Sequence, residues 1–89
     1  MKAVITVTGK DTVGIIADVS AVCSKYNANI VEITQTVLSE YFAMIMLVDI
    51  SALNSEFASF VDVLAALGES KKLDIHTMHE DIFNTMHHI

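Results

Sequence analysis

Two spacings of apolar residues divide this chain. From Val4 to Thr8 the residues are mostly β-branched, as in a short strand, and the turn Gly9-Lys10-Asp11-Thr12-Val13-Gly14 follows directly. Helical spacing begins at once beyond it, with Ile15, Val19, Val22 and Tyr26 on one stripe and Ile16 and Cys23 beside it. Asn27-Ala28-Asn29 stops that helix and Ile30 opens a second strand. Taken to the end, the pattern predicts strand at about 2–8, helix 13–26, strand 30–37, strand 41–50, helix 54–67 and strand 73–79. Leu38-Ser39-Glu40 joins the middle strands as a short hairpin. Asn54 or Ser55 is the expected cap of the second helix, with Phe57, Phe60, Val61 and Leu64 as its buried face. Gly68 stands where a left-handed C-cap belongs, and Glu69 to Lys72 reads as solvated loop.

The order β-α-β-β-α-β, with right-handed crossovers, puts both helices on one face of a four-stranded antiparallel sheet. This is an α+β fold of ferredoxin-like type, with expected strand order 4-1-3-2. The third strand tests whether two helices suffice. Phe42 to Val48 contains no polar residue, so both of its faces are apolar, and the helices can cover only one. Either a partner subunit or the tail must shield the other. In that tail, residues 80–89, Ile82, Phe83, Met86 and Ile89 share helical spacing. The expected division is one domain over 1–79 and a C-terminal helical tail over 80–89.

Composition narrows the partners. With 89 residues the chain makes one small core, and association would usefully add buried area. The five basic residues are all lysines and the net charge is −6. Arginine is the usual reader of phosphates and guanine edges, so direct nucleic-acid binding is not expected, and neither is an anionic membrane surface. No apolar run is long enough to span a bilayer and no signal sequence opens the chain. A single cysteine agrees with a reducing compartment; the expectation is an unprocessed cytoplasmic protein.

The run KDTVGIIADVSAVCSKYNANIVEITQT (residues 10–36) resembles the signature of ACT domains, small-molecule-sensing modules attached to enzymes and regulators of amino-acid metabolism. The resemblance extends over about residues 2–79. The chain looks most like small stand-alone ACT proteins and is similar to one repeat of the glycine cleavage system transcriptional repressor. It departs from the usual pattern at Val13, where the family commonly has proline. The resemblance implies a regulatory module with a ligand, an amino acid, held between two ACT units. Carried over residue by residue, it marks Asp11 as the polar loop position, Gly14 as the glycine of close backbone approach and Asn29 as the amide before the second strand. Gly9, Lys10, Val13, Ile15 and Ile30 flank the site.

A helix from 13 to 26 is roughly 21 Å long at about 1.5 Å per residue, more than a small amino acid can span. Asp11 and Asn29 therefore meet one ligand only if two subunits set their first helices antiparallel. Helix-start amides would then hold the carboxylate, and Asp11 with Asn29 of the partner subunit would accept from the ammonium. Each residue also has a plainer reading. Asp11 serves as a helix N-cap, Asn29 as a turn residue in left-handed backbone, and Gly14 as a tight helix–sheet contact.

Neither a metal nor another cofactor is expected. His76 and His79 point to opposite faces of a strand, while His87 and His88 diverge by about 100° on a helix. Cys23 reads as a packed thiol. Without arginine, a Gly-x-Ser-x-Gly elbow or a phosphate loop, the chain does not read as an enzyme. The sequence thus leads to a homodimeric ACT module that binds an amino acid and acts on a regulated protein partner. The alternative is a ligand-free interaction module.

Overall fold

The computed structural model describes residues 1–10 and 13–86. Its elements run β1 (Lys2–Gly9), α1 (Ile15–Lys25), β2 (Asn29–Leu38), β3 (Tyr41–Asp49), α2 (Phe57–Lys71), β4 (Asp74–His79) and α3 (Glu80–Met86). All three strand pairings are antiparallel, in the order β2-β3-β1-β4, which is the expected ferredoxin-like topology.

Alternation along the two central strands sorts the faces. Ala3, Ile5 and Val7 of β1 join Phe42, Met44, Met46 and Val48 of β3 on the face beneath α1 and α2. The helices meet them with Ile15, Val19 and Cys23 from α1 and Phe60 and Leu64 from α2. Tyr26 and Phe60 set their rings 5.7 Å apart where the two helices approach. Each buried aliphatic or aromatic side chain contributes about 1.5–3 kcal/mol relative to exposure, so this layer carries most of the stability. Of the expected stripes, Val22, Tyr26 and Phe57 are only half-buried, and Ile16 is left partly exposed.

Several boundaries differ from expectation, each for a local reason. α1 begins at Ile15 because Gly14, with φ of 77°, occupies the cap position in left-handed backbone. Asp11, the expected cap, lies outside the described residues. A Cβ on Gly14 would meet nothing within 4 Å, so positive φ and not tight packing is what calls for glycine there. The close approach belongs to Gly9, where a Cβ would collide with the Leu73 side chain. α2 begins at Phe57, with Glu56 as its cap. Asn54 instead ties the loop to α1, its Nδ2 donating to the Lys25 carbonyl at 2.9 Å and its backbone N–H to the Tyr26 carbonyl at 3.1 Å.

Gly68 does not end α2. It is buried inside the helix, where a Cβ would stand 2.7 Å from the Leu73 carbonyl oxygen and 2.9 Å from Ile75 Cγ1, and Lys72 takes the left-handed cap at φ 58°. Glycine here lets α2 sit close on β4, and Glu69 to Lys71 extend the helix instead of forming a loop. Likewise Asn27, at φ 62°, is the left-handed residue after α1, while Asn29 is the first residue of β2.

α3 packs on the face opposite the other helices, against β1 and β4. Val4 is buried there although it stands apart from the main core. The tail therefore shields the β1–β4 half of the second face, while Ile45 of β3 remains 45% exposed. His87, His88 and Ile89 lie outside the described residues.

Candidate functional site

Gly9, Lys10, Val13 and Gly14 gather at one end of the sheet, where β1 hands over to α1. Gly9 is opposite Phe42 in the β1–β3 register, so this end of β1 lies beside the β2–β3 hairpin. Lys10 secures the two to each other: its Nζ is 3.8 Å from a Glu40 carboxylate oxygen and 5.5 Å from the centre of the Tyr41 ring. Both contacts are exposed and individually weak, but together they hold the Lys10 ammonium toward the hairpin.

The start of α1 offers backbone donors. Its first i→i−4 bond runs from the Asp18 N–H to the Gly14 carbonyl at 2.9 Å, so the amides of Ile15 to Ala17 precede the helical ladder and carry the positive end of its dipole. Val13 is 85% exposed beside them. Ile15 is only 1% exposed; its side chain belongs to the core, which leaves its backbone amide as the part available to a ligand. Asp11 lies outside the described residues.

Asn29 and Ile30 are at the other end. Asn29 pairs with Asp49, and Asp49 with Lys2. Seven residue steps along β1, from Lys2 to Gly9, amount to about 23 Å at about 3.3 Å per residue. Within one chain the loop and Asn29 are thus a sheet's length apart, as the helix length implied. Asn29 is exposed and Ile30 packs half-buried against the core. The described part of the chain brings together Gly9, Lys10, Val13, Gly14 and the Ile15 amide, and separates Asn29 and Ile30 from them.

Sequence reasoning missed what lies between these ends. β2 is an edge strand of ten residues with Val31, Ile33, Val37 and Leu38 all exposed. Ile33 and Val37 share the helix-side face with buried residues of β3, being opposite Met46 and Phe42 in the register. Neither is covered, and Ile16 of α1 is exposed too. The signal was present in the run IVEITQTV, whose apolar residues are too many for a strand facing water on both sides.

Two titratable groups among the described residues are shifted from their ordinary values. Burial pushes the Cys23 thiol up to about 11, which keeps it protonated and inert at neutral pH. Asp49 is held below its usual value chiefly by the Ser51 backbone N–H, which donates to its Oδ1 at 2.8 Å. His76 and His79 do lie on opposite faces of β4. His79 stacks on Phe57 at 4.1 Å, and His76 faces the second side of the sheet. Among the described residues there is no group of three or more His, Cys, Asp or Glu side chains able to hold a metal, and no helix long and apolar enough to cross a membrane.

Comparison with known proteins agrees with this architecture. A UPF0237 protein of Clostridium perfringens is 48% identical over 89 residues, covering all of both chains. The structure of an ACT domain protein from Streptococcus pneumoniae superposes with a TM-score of 0.80 at 40% identity, over 93% of each chain. A crystal structure described as a glycine cleavage system transcriptional repressor matches at TM-score 0.70 and 26% identity, over 85% of this chain and 43% of that one. ACT domains are typically regulatory modules that bind small molecules and often dimerise. The family profile for the ACT domain matches residues 2–79, which span every strand of the sheet and both helices above it, and this chain belongs to that family.

Proposed function

We propose that the protein is a non-catalytic regulatory module that works as a homodimer, with an amino acid bound where the Gly9–Gly14 loop of one subunit meets Asn29 of the other. The observation that carries this is the bare edge of β2. It has no proline or lysine and one charged residue, Glu32, and its single β-bulge, between Ile30 and Glu32, leaves the run from Ile33 to Leu38 regular and unprotected. Two copies of β2 set antiparallel about a dyad at Ile33 would bring Asn29 beside Val37 and Leu38 of the partner subunit. Leu38 is at the hairpin end, the end of the sheet at which β1 reaches Gly9. One symmetric contact therefore closes the 23 Å gap twice, and it covers Ile16, Ile33 and Val37 at the same time.

In this arrangement the amides at the start of α1 receive the ligand carboxylate. Asp11 and Asn29 of the partner subunit accept hydrogen bonds from its ammonium. Backbone donors suit a chain that has no arginine. A ligand touching both subunits stabilises the geometry that brings them together, and so biases any protein partner able to tell dimer geometries apart. The buried thiol and the absence of any second cysteine fit a reducing compartment such as the cytoplasm.

The exposed apolar strip along β2 also favours a second reading, in which assembly alone is the function and nothing binds the loop. Isothermal titration against the common amino acids separates the two. The first reading expects saturable heat with at least one amino acid at up to about 1 mM. That heat is abolished by joint Asp11→Ala and Asn29→Ala replacement, in a protein that still sediments as a dimer. A dimer that gives no heat with any amino acid sinks the sensor reading and leaves the assembly reading standing.

A further inference from the structure

The second face of the sheet holds a recess that pairing through β2 leaves open. Because α3 lies on β1 and β4 only, a cavity of about 470 Å³ opens between it and β3. Its floor is polar: Thr6 and Thr8 of β1 lie beside His76 of β4, and Thr6 and His76 are register partners. Its walls are apolar, with Ile45 on the sheet side and Phe83 and Met86 on the α3 side. Among the described residues no Asp, Glu, Lys or Arg lines it, in a chain whose net charge is −6.

We propose that this recess binds an uncharged, largely apolar small molecule carrying one hydrogen-bonding group, the chemistry that indole or a simple phenol represents. The volume lies within the roughly 300–1,000 Å³ of small-molecule pockets, and a mostly apolar lining with a few convergent polar groups is their usual build. The charge pattern selects the ligand. A charged molecule would lose its hydration among Ile45, Phe83 and Met86 and find no counter-charge in the lining. A pure hydrocarbon would leave the threonine hydroxyls and the imidazole without partners. One hydroxyl or ring N–H on an apolar body satisfies both conditions. Met78 and Met86 add unbranched side chains that mould to an irregular outline. A second copy of the sheet fits less well, since α3 stands as a ridge over the β1–β4 half and would hold a flat partner off the floor.

Methyl NMR of the full chain, titrated with indole, tests the site. The expected result is saturable movement of the Ile45, Met78 and Met86 methyl signals, with Kd below about 1 mM, and binding of indole-3-acetate at least about tenfold weaker. Ile45→Trp starts from an exposed position and fills the mouth of the recess, so it should weaken indole binding at least about tenfold with thermal unfolding unchanged. Ala43→Phe repeats the block from the neighbouring floor position if the tryptophan variant unfolds. No saturable shift, equal affinity for the charged analogue, shifts confined to Val13 and Ile16, or undiminished binding in the folded blocking variant would each overturn the assignment. So would a fall in sedimentation coefficient on Ile45→Trp, which would make a second copy the occupant. The indole affinities and the Ile45, Met78 and Met86 shifts do not depend on the β2 contact or on any amino acid bound there, so this assignment and the sensor reading fail separately.

Discussion

The two edges of the sheet are built differently. β4 has six residues, is backed by α2 through the close contact at Gly68, and runs straight into α3. β2 has ten residues, takes little cover from α1, and keeps four large apolar side chains exposed. The packing around β4 belongs to stability, because its neighbours are core atoms of the same chain. β2 costs the monomer exposed apolar surface and gains nothing in return unless something pairs with it. The contrast supports the proposed contact at the β2 edge without reference to any single residue's chemistry.

Three substitutions test the contrast. The largest effect belongs to the closed edge. Gly68→Val forces a branched side chain into the Leu73 carbonyl and Ile75, and should lower unfolding free energy by about 3 kcal/mol in urea denaturation, with little change in ligand response measured where the protein is folded. On the open edge, Ile33→Lys sets two like charges near the proposed dyad. It should weaken dimerisation at least about tenfold by sedimentation equilibrium while monomer stability changes little, since the lysine stem still covers the strand. Smallest is Lys10→Ala, which removes an exposed ion pair and a cation–π contact. The expected loss is about 0.5 kcal/mol or less in thermal unfolding, and any larger effect on ligand affinity than on stability would put Lys10 at the ligand.

The fold was legible because its signals are periodic and mutually consistent. The switch from alternation in the strands to helical spacing at Ile15, and the fully apolar run Phe42 to Val48, lead to one topology. The errors came from residues that answer two demands. Glycine marks a helix end or a close approach, and only the position of Leu73 and Ile75 shows which applies to Gly68. Asparagine tolerates left-handed backbone, yet Asn27 and not Asn29 adopts it, because the chain must turn immediately after Tyr26 to bring β2 alongside β3. At the candidate site, helix length alone revealed that the loop and Asn29 are far apart. The run IVEITQTV signals that β2 calls for cover, but which of its residues stay bare depends on how far α1 reaches across the sheet, and that is a tertiary fact.

The placement of Gly9 and Asn29 at opposite ends of one sheet has a genetic corollary. In a symmetric pair each cleft would borrow one wall from each polypeptide. A hybrid of one molecule damaged at the loop and another damaged at Asn29 would then hold one cleft with both defects and one with none. Two individually inactive alleles would complement each other, with half the clefts intact in every hybrid, whereas two alleles damaged at the same wall would not.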